Sequence, residues 1–229
     1  GVLDTTVASQ GTTSQFSTVT LGGLVTGSNK FRGGAVIGSK VYFAPCDADV
    51  IGVFDTAADE GKGVFSTISL DGMVSGDWKF SGAAALGSKV YFAPHDADVV
   101  GVLDTAPSTG GPAQFSTISL DTSLHGELKF SGAVVVGHKI VFVPSCADVI
   151  GILDTTGNDG AGVVSTVSLQ GKVCGRGLFL EAAVVGSRVY FAPFNADVVG
   201  VYDAAANGGE GEFDTISLEG KVSDFGKFC

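Results

Sequence analysis

The chain has 229 residues, 45% of them hydrophobic and 16% charged, with a net charge of −11. That much apolar material builds a large core and excludes a disordered chain. The acidic balance excludes phosphate-backbone binding, which needs basic patches, and no run of 18 or more apolar residues is present to span a membrane.

In chain order, Gly1–Thr5 reads GVLDT and is identical to Gly101–Thr105, so the sequence opens partway through a repeat. A polar Gly/Ser/Thr-rich loop follows at Val7–Gln15, then Phe16–Leu21, FSTVTL. The main unit comes next, clearest at Lys79–Thr105 as KFSGAAALGSKVYFAPHDADVVGVLDT. It recurs at Lys30–Thr56, Lys129–Thr155 and Leu178–Ala204, each copy followed by a block close to FSTISL. The phenylalanines Phe31, Phe80, Phe130, Phe179 and Phe228 are spaced by 49, 50, 49 and 49 residues. A fixed period of this size marks a solenoid, a propeller or an array.

Each repeat contains four strand-like segments, which in the second copy are A (Ser81–Leu86), B (Lys89–Ala93), C (Val99–Asp104) and D (Phe115–Leu120). Segment A is small and apolar, B aromatic and β-branched, and C a continuous apolar run of the kind a doubly covered strand shows. Segment D mixes apolar residues with Ser and Thr, as a more exposed strand does. Gly87-Ser88 forms a short A–B turn, Pro94–Asp98 the B–C turn and Ala106–Pro112 the C–D loop. No segment keeps helical apolar spacing over three turns. Four strands in about 49 residues predict an all-β propeller of four-stranded blades, with A nearest the axis and D at the rim.

The pattern KVYFAP–x–x–AD–VVGVLDT–loop–FSTISL, which runs through nearly the whole chain, resembles the YVTN-type propeller repeat and is similar to kelch-like repeats. The resemblance implies the propeller fold and leaves function to individual sites. The predicted organisation is a single domain. Residues 1–29 supply strands C and D of a closing blade, 30–78, 79–128, 129–177 and 178–226 are successive repeats, and 227–229 begin another. Five blades with the last incomplete is the primary expectation, and six or seven with part of the protein absent is the alternative. On either count the sequence is expected to be a piece of a longer protein, lacking a segment equivalent to Gly82–Val100.

Several polar residues recur or stand out. Asp49, Asp98, Asp148 and Asp197 begin segment C, Asp47 and Asp96 add a second carboxylate in two repeats, and Lys30, Lys79, Lys129 and Lys227 precede segment A. They are expected to form turn caps and partly exposed ion pairs, with Lys79 facing Asp98, and a cation or sugar site in the Asp-Ala-Asp turns is the functional alternative. Asp4, Asp55, Asp104, Asp154 and Asp203 close segment C as Asx-type turn residues. His95, His125 and His138 fall at three different repeat positions and are expected to be exposed loop histidines. Glu181 replaces the segment-A glycine in the fourth repeat alone, a carboxylate near the axis in one blade. Met73 and Trp78 are candidate partner anchors, and His125 and Arg176 lie in the variable D–A loops that carry partner choice. Cys46, Cys146, Cys174 and Cys229 do not follow the period and are expected to be free thiols.

No convergent catalytic set and no metal or cofactor motif is legible. The sequence therefore predicts a non-catalytic interaction module docked to a protein partner in a larger assembly, without nucleic acid. A lectin-like or small-ligand-binding propeller is the alternative, and an enzyme ranks third.

Overall fold

Each repeat folds into one antiparallel four-stranded sheet, a blade, with its strands in sequence order. The computed structural model describes residues 2–3, 16–120, 124, 126–222 and 226–227. Two strands, β1 (Val2–Leu3) and β2 (Phe16–Ser17), form a separate antiparallel pair. Blade 1 holds β3 (Phe31–Ile37), β4 (Lys40–Pro45), β5 (Val50–Asp55) and β6 (Val64–Ser69). Blade 2 holds β7 (Phe80–Leu86), β8 (Lys89–Pro94), β9 (Val99–Asp104) and β10 (Gln114–Ser119). Blade 3 follows with β11 (Phe130–Val136), β12 (Lys139–Pro144), β13 (Val149–Asp154) and β14 (Val163–Ser168). Blade 4 has β15 (Phe179–Val185), β16 (Arg188–Pro193), β17 (Val198–Asp203) and β18 (Glu212–Ser217). The strand boundaries expected from sequence hold to within one residue, and the described helix consists of short 3-10 turns such as Asp59–Gly61 and Asn158–Gly160 in the C–D loops.

The A strands β3, β7, β11 and β15 lie side by side in chain order and form the inner layer. Glycine makes this approach feasible. A β-carbon on Gly33 would stand 2.9 Å from the Gly82 α-carbon, and one on Gly82 would stand 2.8 Å from that of Gly132. Gly33 and Gly82 also take left-handed backbone angles (φ 77° and 82°) at a register shift in the A–B ladder, which only glycine adopts freely.

The core lies between blades. Blades 2, 3 and 4 each turn a phenylalanine face to the blade before, where it meets an apolar face that carries Tyr42 in blade 1, Tyr91 in blade 2 and Val141 in blade 3. Between blades 1 and 2, Tyr42, Ile51, Val53 and Leu70 meet Phe80, Val90, Phe92 and Leu103. Between blades 2 and 3, Tyr91, Val100 and Val102 meet Phe130, Ile140 and Leu153, and the same pattern joins blade 3 to blade 4. Strand D packs less tightly, and its residues alternate with exposure to solvent, as in Val64–Ser69.

The glycine in the middle of each C strand is a volume constraint. Gly101 sits under three rings, and a β-carbon there would lie 3.0–3.1 Å from Phe80, Phe115 and Phe92. Gly52, Gly151 and Gly200 are covered by phenylalanine rings in the same way. Gly101→Ala is therefore expected to lower the unfolding free energy by about 1–3 kcal/mol through overpacking, read as a lower midpoint in a denaturant melt with an unchanged slope. An unchanged midpoint would show that the rings are free to move aside.

Candidate active site

Three recurring contacts join consecutive blades on the side where strand A begins and strand B ends. The first is backbone to backbone. The N–H before each A strand donates to the carbonyl just after the proline of the preceding blade: Lys79 to Cys46 at 3.1 Å, Lys129 to His95 at 2.9 Å, Leu178 to Ser145 at 2.8 Å and Lys227 to Phe194 at 3.0 Å. The second is a lysine clasp. Lys79 Nζ donates to the Asp47 carbonyl at 3.2 Å, to Asp49 Oδ1 at 3.2 Å and to the Gly76 carbonyl. Lys129 repeats it on the Asp96 carbonyl, Asp98 and Gly126, and Lys227 reaches the Asn195 carbonyl and Asp197. The third is a turn cap. Asp47 Oδ1 accepts the Trp78 N–H at 2.9 Å, and Asp96 Oδ1 accepts the Leu128 N–H at 2.7 Å. Trp78 and Leu128 hold left-handed backbone angles (φ 52° and 58°), and these bonds help keep them there.

These contacts correct the expected ion pairs. Lys79 bonds to Asp49 of the preceding blade and not to Asp98, whose partner is Lys129 of the next blade. The pairs are asymmetric as well, because the Lys79 side chain is 1% exposed while that of Asp49 is 79% exposed. The spacing misled because each lysine leads into one blade and clasps the blade behind it. Asp47 and Asp96 spend a carboxylate oxygen on a neighbouring backbone N–H, which makes them blade-joining caps. The Trp78 bond is the main reason that the Asp47 carboxyl is held below the usual range. The Asx reading holds at four C-strand ends, where the carboxylates of Asp55, Asp104, Asp154 and Asp203 each accept the N–H two residues on, and Asp4 lies outside the described residues.

The side chains carried on this frame differ from blade to blade. Cys46, His95, Ser145 and Phe194 occupy one equivalent position. His95 is buried, not an exposed loop residue as the sequence suggested, and its Nδ1 lies 2.9 Å from Asp96 Oδ1. Burial pushes the His95 pKa below its ordinary value, opposed by Asp96. The half-buried Trp78 ring lies 5.5 Å from the His95 ring, centroid to centroid, and the Arg32 guanidinium sits 5.4 Å over the same indole. Such a cation over an aromatic face is attracted by the ring quadrupole. Arg32 takes the place of Ser81 and Ser131, whose hydroxyls donate across to the Ser131 and Phe179 carbonyls at 2.9 Å and join the inner strands. Glu181, on the inner strand of blade 4, has its carboxyl raised by desolvation and drawn back down by the charge of Arg32. Arg32 of blade 1, Trp78 and His95 of blade 2 thus gather at one blade joint, while Glu181 stands apart on the inner strand of blade 4. Cys46 is buried beside this group, its thiol pushed up to about 11 by desolvation and then by Asp47.

The remaining candidates lie apart. Met73 is exposed in a D–A loop, Arg176 is exposed in another and offers its carbonyl to Asn195, and His125 falls outside the described residues. His138 is an exposed loop residue, 3.4 Å from Asp154. Cys46, Cys146 and Cys174 are unpaired, and Cys229 lies outside the described residues. Among the described residues, no three His, Cys, Asp or Glu side chains gather as metal ligands, and no helix is long and apolar enough to cross a membrane. Sequence reading missed Arg32. Its signal was available, since Arg32 is the one charged residue at a position held by Ser81, Ser131, Leu180 and Cys229 in the other copies.

No protein-family model matches the chain, and no curated protein matches it. Solved structures do. The chain is similar to the periplasmic gluconolactonase PpgL of Pseudomonas aeruginosa, with 16% identity, a TM-score of 0.54, and coverage of 79% of this chain and 50% of that one. It is similar to Kuenenia stuttgartiensis hydrazine synthase at 15% identity and TM-score 0.53, covering 87% of this chain and 53% of that one. A third likeness is to apo AztD from Citrobacter koseri, at 13% identity and TM-score 0.50, covering 88% and 62%. The chain spans about half the length of the first two. With the four-stranded sheets, these likenesses establish an all-β propeller of four-stranded blades.

The expectation of a non-catalytic module is corrected here. The fold is shared with propellers named as enzymes, and the premise that no polar set converges fails at Arg32, Trp78, His95 and Asp96.

The clasp geometry predicts an asymmetric response to substitution. Lys79→Ala removes a buried ammonium with three acceptors and is expected to cost about 2–3 kcal/mol. Asp49→Ala removes an exposed partner and is expected to cost less than about 1 kcal/mol. Equal losses in parallel denaturant melts would contradict the clasp.

Proposed function

We propose that the protein is a propeller hydrolase that opens a small, polyhydroxylated cyclic ester at the joint of blades 1 and 2, with His95 as general base. The observation that carries this reading is the Asp96–His95 pair, at 2.9 Å, beside the Trp78 ring and the Arg32 guanidinium over it. A carboxylate accepting from Nδ1–H fixes the imidazole tautomer and leaves Nε2 as the proton acceptor. The depressed pKa keeps that nitrogen neutral near pH 7.

In this reading a water attacks the ester carbonyl while His95 takes its proton. The carbonyl–ring oxygen bond then breaks, and the proton passes from His95 to the departing ring oxygen, giving a hydroxy acid. Arg32 offers charge to the carbonyl oxygen or to an anionic group of the substrate. Trp78 supplies an apolar face beside both groups and holds the guanidinium over its ring. The choice of ester class follows from the gluconolactonase that shares the fold, and the groups present suit that chemistry. We also read the repeat as YVTN-type, on KVYFAP and VVGVLDT.

The test is acid release by pH-stat from a panel of sugar lactones, beginning with gluconolactone. Turnover above the spontaneous rate is expected. His95→Gln is expected to lower it by about 10²–10⁴-fold while retaining the fold by circular dichroism. Protonation of His95 removes the base, so kcat/KM is expected to fall on acidification with a midpoint below 6.5. No turnover across the panel, or full activity in the His95 variant, would overturn the reading.

A further inference from the structure

We propose that the groove against the phenylalanine face of blade 1 is a strand-addition site whose occupant is an A–B β-hairpin of this chain's own repeat type. In blades 2, 3 and 4 the phenylalanine face is buried under the face of the preceding blade that carries Tyr42, Tyr91 and Val141 in turn. In blade 1 the same face, with Phe31, Val41, Phe43 and Phe65, borders a groove of about 630 Å³ that Val19 and Leu21 also line. These two residues correspond to Ile118 and Leu120 of the second repeat, at the end of its strand D and just beyond.

The strand pair that leads into Val19 and Leu21 points to what would fill the groove. β1 and β2 pair Val2 with Ser17 and Leu3 with Phe16. In blade 2, strands C and D pair Val102 with Ser116 and Leu103 with Phe115, which is the same register on the same residue types. So β1–β2 is a C–D pair. In each of the four blades strand C bonds to D on one edge and to B on the other, whereas β1 bonds to β2 alone among the described strands. An unpaired strand edge is a template for β-augmentation. Together the edge and the apolar wall define the space that strands A and B occupy in a complete blade. The wall also defines the side chains. At the joint of blades 1 and 2 the hairpin face that meets the phenylalanines carries Tyr42 and Ala44, which correspond to Tyr91 and Ala93 of the second repeat. The inference is independent of the enzymatic reading, because the groove residues are distinct from His95 and Asp96.

The test supplies the hairpin in trans. A synthetic peptide with the sequence Lys79–Asp98 is titrated into the full chain, with binding followed by calorimetry and the thermal midpoint followed in parallel. Saturable one-to-one binding with a rise in midpoint is expected. A peptide carrying Tyr91→Asp is expected to bind at least tenfold more weakly, and so is the wild-type peptide to a Leu21→Arg protein. Circular dichroism confirms that the protein variant is folded, and the peptide variant keeps the test valid if it is not. Absence of saturable binding, or equal binding of the wild-type and Tyr91→Asp peptides, would overturn the proposal.

Discussion

A backbone hydrogen bond between consecutive sheets, reinforced at most joints by a buried ammonium, is the contact on which the rest of this structure depends. A four-stranded blade cannot bury both of its faces by itself, so stability has to come from its neighbours. The apolar faces supply most of the attraction, but they are non-directional. Direction comes from the lysine clasp and from the N–H to carbonyl bond beside it, which fix where one blade starts relative to the end of the last. At the transition to blade 4 the clasp gives way to Leu178, which is buried, while the backbone bond to Ser145 remains. The backbone bond is thus the constant element, and the lysine reinforces it where it is present.

The same joint positions the residues of the proposed site. Asp96 caps the turn at Leu128 through its carboxylate, and its carbonyl holds Lys129. With that side chain fixed, the imidazole of the adjacent residue is fixed too. The position after the B-strand proline lies at a blade boundary in every repeat, so its side chain is free to vary while its backbone is not. Cysteine, histidine, serine and phenylalanine occupy it in turn. A repeated scaffold thereby yields an asymmetric site, and the asymmetry is extended by Arg32 in blade 1 and Glu181 in blade 4.

The fold was legible because its signals are local and periodic. The A–B turn glycine, the proline after strand B and the apolar run of strand C each recur at a fixed offset, and every blade follows them. The Gly82 series was legible as small residues near the axis, while the reason for Gly101 was not, since it lies in three rings from different strands of one blade. The site was legible only in part. Glu181 and Trp78 stand out as departures from the repeat, but the contact between Trp78 and Arg32 crosses two blades and leaves no trace in spacing. The lysine pairing was read one blade out of step for the same reason. A period gives the residues that are equivalent, and three-dimensional packing decides which neighbour each one meets.

The most direct measurement is amide hydrogen exchange at the blade joints. The amides of Lys79, Lys129 and Leu178 lie outside the strands, at the ends of exposed D–A loops, where rapid exchange would otherwise be the rule. The account predicts that these amides are as protected as strand amides, while those of Gly76 and Gly175 in the same loops exchange quickly. Exchange at Lys79, Lys129 and Leu178 as fast as at those glycines would contradict it, since the blades would then lack the bond that sets their register.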